Sequence, residues 1–439
     1  MNIALALLLG SCVGQQSDPA VEWGSWRGPL GTGEAPLADP PIRWSETRNV
    51  RWKAALDGRG HSSPIVWGGR VFLTAAVAVG ELLEPQPSRM EGAHDNTPVT
   101  RRQQLVVRAF ERATGAPAWT RVVHDAVPTD TAHESAGYAS ASLVSDGEQL
   151  FAFFGSAGLY ALDLAGEVLW TADLGEMRVK HSHGEGAGPA LFGDTLIVNW
   201  DHEGDSFVVA LDKRTGEERW RKAREEQTSW ATPLIVAHAE GAQVIVPGSG
   251  RLRAYDLDDG EVIWSCGGLS KNIVASPVAA DGLVVAGSSY EKQALFAVRL
   301  ETAHGDLTAG AEGLLWSRRR RAPYVPSPLL YRGVVYNLQH YSPLLCRTAL
   351  ESGEEGDPLR LGIGNLYASP VAAAGRVYLT DLDGATLVLE HAPLGEVARP
   401  VALNQLEDSF SASAAVAGSE LYLRGDRWLY CLAREAEER

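Results

Sequence analysis

Two short stretches of this chain concentrate imidazoles and carboxylates. One is His181-Ser182-His183-Gly184-Glu185, and the other is Asp201-His202-Glu203-Gly204-Asp205. Neutral imidazole nitrogens and carboxylate oxygens are ligands for divalent metals. His181, His183, Asp201, His202, Glu203 and Asp205 are therefore candidate ligands of a divalent cation, provided that the fold brings the stretches together. Their spacing matches no defined ligand motif, and the competing reading is a hydrogen-bonded polar rim. The four cysteines, Cys12, Cys266, Cys346 and Cys431, include no CxxC and no adjacent pair, so neither a zinc nor a thioredoxin-like pattern is present. Serine-hydrolase, phosphate-loop and dinucleotide signatures are also missing.

A second set of residues shares a position rather than a chemistry. Each is bulky or ionisable and stands just ahead of a recurring small-small-Pro step. The set is Arg59 and His61, Tyr138, His183 with Glu185, Trp230, Asn272, Tyr324, Tyr367, and Asp408 with Phe410. Aromatic walls with a few polar groups form a typical ligand site. Trp230, Tyr324 and Tyr367 offer ring faces of the kind that stack on sugars. The bland alternative for any one of them is a side chain that only fills the interior.

The step itself defines the elements that position these residues. It reads Ser62-Ser63-Pro64, Ala187-Gly188-Pro189, Ala231-Thr232-Pro233, Ala275-Ser276-Pro277, Pro326-Ser327-Pro328 and Ala368-Ser369-Pro370, with degenerate copies at Ala141-Ser142-Leu143 and Ala412-Ser413-Ala414. From Ala141 onward it returns every 42 to 51 residues. That period is the size of one four-stranded propeller blade. Within a unit, runs such as TLIVNW and SFVVALD are rich in β-branched and aromatic residues, and glycine-bearing turns separate them. An Ala-Gly-Trp triplet recurs late in the unit, as Ala109-Gly115-Trp119, Ala210-Gly216-Trp220 and Ala254-Gly260-Trp264. The expected fold is all-β, an eight-bladed propeller of four-stranded antiparallel blades. The last unit ends after three strands, and Asn49 to Ala54, bearing Trp52, is expected to supply the fourth and close the ring.

Two loops stand out from this grammar. Val79 to Gln103 is a long insertion between second and third strands, with His94, Asp95 and Arg101-Arg102. His124 to Gly137 leads into the next unit and holds Asp130, His133 and Glu134. In a propeller both loops emerge on the face that carries the lead-in residues, so they are expected either to cover part of the channel mouth or to be solvated and disordered. Arg318 to Arg321 is a cationic run, expected to be a solvated surface.

The Ala-x-Asp-x-x-Thr-Gly-x-x-x-Trp pattern from Ala210 to Trp220 resembles the repeats of the pyrroloquinoline-quinone-like β-propellers. That superfamily includes quinoprotein dehydrogenases and the lipoprotein of the outer-membrane β-barrel assembly machine. The opening Trp23-Gly24-Ser25-Trp26-Arg27-Gly28-Pro29, with Gly60-His61-Ser62-Ser63-Pro64, resembles exported propellers of planctomycete-type bacteria. The resemblance covers roughly residues 23 to 433 as one domain. For the dehydrogenase branch it implies a quinone in the channel, calcium held by carboxylate and amide oxygens, a catalytic Asp and a vicinal disulfide. This chain has no Cys-Cys pair, and neither the calcium ligands nor the Asp map onto its residues. No organic cofactor is therefore expected, pyrroloquinoline quinone with calcium is disfavoured, and a divalent metal is the remaining candidate.

The ends and the composition set the cellular expectation. MNIALALLLGSC is a short apolar run that reads as a secretion leader, and Leu9-Gly10-Ser11-Cys12 resembles a lipobox with Cys12 as the lipidated residue. Residues 1–22 are read as leader and linker, and residues 434–439 as a charged tail. A net charge of -16 argues against a nucleic-acid partner. Taken together, these features favour an exported, monomeric, non-catalytic scaffold in the periplasm or lipid-anchored at a membrane. It would bind an envelope protein or a polysaccharide. The alternatives are a quinone-dependent oxidoreductase and a carbohydrate or small-ligand module.

Overall fold

The computed structural model describes residues 21–238, 241–308 and 310–435. Cys12 and the leader up to residue 20 lie outside the described residues, as do 436–439 of the tail. Eight β-sheets follow one another along the chain, six with four strands and two with a fifth. The third blade shows the plan, with strands Ala190–Phe192, Thr195–Trp200, Ser206–Asp212 and Glu218–Arg224, each antiparallel to the next. The last blade takes three strands from Ala415–Ala417, Glu420–Arg424 and Trp428–Ala433, and its outer strand from Val50–Ala55. Trp52 pairs with Cys431, so the N-terminal segment shuts the ring as expected. No helix among the described residues is long and apolar enough to cross a membrane.

The repeated tryptophan joins its blade to the next at most of the positions where it recurs. The indole Nε1 of Trp52 donates to the Arg112 carbonyl at 2.9 Å, Trp119 to Leu164 at 3.1 Å, Trp170 to Lys213 at 2.8 Å and Trp220 to Leu257 at 2.8 Å. Each acceptor lies in the following blade, beside that blade's turn glycine. At Gly216, φ is +74°, and an added Cβ would stand 2.6 Å from the Trp170 ring. The glycine thus meets two demands at once, a left-handed turn and room for the neighbouring indole. Trp264 departs from the pattern and donates to Gln243 of its own blade at 2.9 Å. The next blade has a longer turn here, whose Gly305–Asp306 runs parallel to Trp264 and Ser265.

The small-small-Pro step has an equally specific role. Its middle hydroxyl accepts a backbone N–H from the same step of an adjacent blade. The N–H of Ser276 donates to Ser327 at 2.8 Å, Ser327 to Ser369 at 2.9 Å, Ser369 to Ser413 at 2.9 Å and Ser413 to Ser63 at 3.0 Å. Ser63 to Ser142, Thr232 to Ser276 and Gly188 to Thr232 extend the chain of bonds. Gly188, which has no hydroxyl, interrupts the circle. Small residues are needed because eight steps converge on one axis, and the hydroxyls satisfy N–H groups that the short inner strands leave free. The core is divided among the blade interfaces. The most populous cluster, with Trp23, Trp44, Trp52, Phe410 and Tyr430, spans the seventh, last and first blades around the point of closure.

Candidate ligand site at the channel mouth

A cavity of about 480 Å³ opens at one end of the axis. Of the lead-in residues, His61, His183, Glu185, Trp230, Asn272, Tyr324 and Tyr367 line it. Trp26 lines it as well, and its indole donates to Ser413 Oγ at 3.3 Å. The adjacent Arg27 is buried and donates to the carbonyls of Thr32, Pro328 and Pro370 at 3.0–3.2 Å, which ties blades six and seven to the N-terminal segment. Burial pulls the Arg27 guanidinium down to about 9.

One side of the mouth is aromatic. The Tyr324 ring stacks on His340 with centroids 4.6 Å apart and lies 5.5 Å from Tyr290. Tyr341 stands edge-on to Tyr367 at 5.8 Å. Tyr290, His340 and Tyr341 are absent from the lead-in pattern, because they sit in loops between second and third strands. Membership of that loop class, which shares the same face, is the signal that points to them. Trp230 is fixed by donating to the Gly184 carbonyl at 2.8 Å, and Asn272 accepts from Lys180 Nζ at 2.8 Å.

The other side carries imidazoles. His94 from the long insertion packs 4.9 Å from His181 and 5.0 Å from His183, and His133 packs 4.6 Å from His183. Each ring has an anchored nitrogen. His181 Nδ1 lies 3.1 Å from the Gly92 carbonyl, His183 Nε2 lies 3.2 Å from the His94 carbonyl, and His133 Nδ1 lies 2.8 Å from Ser135 Oγ. Burial, then the charge of His133, lowers His183 from 6.5 to about 4. His61 is lowered to about 3, first by burial and then by Arg424 and Arg59, so its ring is neutral opposite Asp426 at physiological pH.

The expected partners of His181 and His183 are engaged elsewhere. Asp201 is fully buried in an ion pair with Arg224 at 2.7 Å, and Ser229 Oγ donates to it at 2.8 Å. His202 Nδ1 accepts from the Arg178 N–H at 3.0 Å, and Glu203 accepts from the N–H and hydroxyl of Thr228. Asp205 is exposed. The two stretches therefore do not share one site. Among the described residues no group of three or more His, Cys, Asp or Glu is arranged around a metal position.

Four lead-in residues lie off the mouth. Phe410 is fully buried and packs 5.9 Å from Tyr430 in the core cluster around the last blade. Asp408 caps a turn by accepting from the N–H groups of Arg427 and Trp428. Arg59 reaches the Glu134 carbonyl. Tyr138 lines a neighbouring cavity and donates to the Asp130 carbonyl at 3.2 Å. The lead-in position thus alternates between channel and blade interface, a difference that spacing alone does not encode. The long insertion carries regular structure. Its Asn96–Thr97 forms a two-stranded ribbon with Ala132–His133, while the flanking strands extend to Arg70–Val79 and Arg102–Glu111. The arginine run is not simply solvated, because Arg318, Arg320 and Arg321 gather on the Glu355 carboxylate.

The sequence matches the family described as outer membrane protein assembly factor BamB over residues 42–183 and 160–401. The chain belongs to this family. Membership agrees with the repeat and with the ring just described. BamB from Moraxella catarrhalis is similar in fold, with 16% identity, a TM-score of 0.52, and coverage of 83% of this chain and 98% of that one. Quinohemoprotein alcohol dehydrogenase from Comamonas testosteroni superposes with a TM-score of 0.60 at 11% identity, covering 95% and 82%. A europium-containing methanol dehydrogenase gives 0.58 at 9%, covering 92% and 89%. These likenesses concern the fold. No curated protein sequence matches the chain.

The dehydrogenase likeness raises the question of a quinone. Pyrroloquinoline quinone is a tricarboxylate, and a site for it needs cationic side chains. No lysine or arginine is among the described residues that line the mouth. Cys266, Cys346 and Cys431 are separate, buried and free, so no disulfide among the described residues offers a stacking surface. The residues present do not fit that cofactor.

Proposed function

We infer that this family member is an exported, non-catalytic scaffold of the cell envelope, and that it holds a protein partner at the channel mouth. One observation carries the reading. The mouth is a concave, half-aromatic surface with Tyr290 44% exposed, built on a ring that fixes it rigidly. Exposed tyrosines on a rigid frame suit protein recognition, because they give large contact area at little cost in side-chain entropy. Membership of an assembly-factor family supports a binding role. That no lysine or arginine is among the described residues lining the mouth supports function without the quinone. Export rests on the apolar run Ile3 to Leu9, with Cys12 as the lipid attachment point.

The test is native mass spectrometry of protein purified from its own host. We expect a co-purifying envelope protein that is lost in Tyr324→Ala, and a mature N-terminus at a diacylated Cys12. A bound quinone with calcium, together with quinone-dependent dye reduction, would overturn the reading. The stacked Tyr324 and His340, with Tyr341 tilted against them, favour one second reading, a carbohydrate module. A glycan array that retains the protein through these rings, with no protein partner, would select it.

A further inference from the structure

A second cavity, of about 330 Å³, lies between blades one and two beside the mouth, under the segment that leads into blade three, and Glu185 lines both. Its walls are mainly apolar, from Leu105, Val127, Phe153, Phe154, Met177 and Val179. Three carboxylates also line it, the exposed Glu176 and the less exposed Glu185 and Asp130. Glu185 and Asp130 are each held only by neutral donors. Glu185 accepts from the Ser156 N–H at 2.9 Å and from the Ser156 hydroxyl. Asp130 accepts from Ser182 Oγ at 2.7 Å and from the N–H groups of Arg89 and Thr131 at 3.0 and 2.8 Å. No lysine or arginine is among the described residues lining the cavity.

Two carboxylates that no lysine or arginine neutralises are costly in an apolar recess, because neutral hydrogen bonds only partly replace lost hydration. The strain is visible at Glu185. Burial, and the nearby charge of Asp130, push its carboxyl from 4.5 up to about 7 despite the Ser156 bonds. The placement is also enforced by the backbone. Gly155 sits at φ +56°, and a Cβ there would collide with the Glu185 carboxylate. The Tyr138 and Phe154 rings add aromatic surface, which attracts cations through the ring quadrupole.

We propose that this cavity binds a small organic cation, an arylalkylammonium, with its charge toward Glu185 and Asp130 and its apolar body against Phe153, Phe154 and Met177. The proposal rests on this cavity and not on the reading of the mouth. The ligand's charge replaces the missing protein cation, and its hydrocarbon part displaces water from the apolar walls.

Calorimetric titration of the full chain with 2-phenylethylamine, and with 2-phenylethanol as its neutral counterpart, tests this. We expect the amine to bind at least tenfold more tightly than the alcohol at pH 8. The preference should shrink at pH 5.5, where Glu185 is protonated while the amine stays charged. Glu185→Gln should abolish the preference, with folding checked by near-ultraviolet circular dichroism. Val127→Trp, at an exposed rim position, should block both probes without touching either carboxylate. Equal binding of amine and alcohol, amine binding unchanged in Glu185→Gln, or no binding at all would overturn the proposal.

Discussion

His183 and Glu185 are two residues apart and titrate in opposite senses. The fold prefers His183 neutral, so that contribution is complete above pH 6.5 and is lost as pH falls through about 4. The fold prefers Glu185 protonated, so that contribution is complete below pH 4.5 and is lost as pH rises through about 7. Between pH 4.5 and 6.5 the two slopes oppose each other. Wild-type local stability should therefore change little across this window. Glu185→Gln should unmask a loss of stability on acidification, and His183→Gln a loss on alkalinisation. Hydrogen exchange of the insertion and of residues 181–185, read as variant minus wild type, checks both slopes. Two variants with parallel pH profiles would contradict the assignment. At this scale the sequence was only partly legible. It marks His181, His183 and Glu185 as chemically unusual, but His94 and His133 reach them from loops distant in the chain. Asp201, His202 and Glu203 looked equivalent in composition, and only the Arg224, Arg178 and Thr228 contacts reveal their structural roles.

The blade is the element whose rules were most readable. Its period, its turn glycines and its tryptophans are local features, and each has one mechanical task. Gly216→Ala must place a Cβ against the Trp170 indole at φ +74°. It should cost more than the ~1–2 kcal/mol of the left-handed conformation alone. Gly193→Ala, at φ +55° with nothing within 4 Å, should cost only about that amount. Urea midpoints of the two variants give the comparison, and equal losses would remove the indole from the explanation. Ser369→Ala takes the acceptor from the buried Ser327 N–H. We expect a loss of about 1–3 kcal/mol, the cost of an unsatisfied buried donor. What the pattern did not reveal at this scale is the added pairing. The parallel partners Glu34–Ala35 and Gly305–Asp306 are only two residues long, too short for any alternation of apolar and polar residues to announce them.

For the whole molecule, closure decides whether the mouth exists as one surface. The segment Val50–Ala55 was legible as the missing strand because Trp52 repeats the outer-strand signature, although it lies far from its partner Cys431 in sequence. Trp52→Ala leaves a void in the interface between the last and first blades and removes the bond to Arg112. It should lower stability by about 3–5 kcal/mol, measured by denaturant unfolding. A loss below 1 kcal/mol would mean that the ring does not depend on this wedge. The functional face depends on closure in turn, since Trp230, Tyr324 and Tyr367 belong to different blades and meet only around a complete axis. Site-specific photo-crosslinking in the native host tests the binding face most directly, with the probe at Tyr290 on the mouth or at Val262, 54% exposed on an outer strand. The account predicts a discrete protein adduct from Tyr290 and none from Val262. An adduct from Val262 alone, or none from either position, would contradict it.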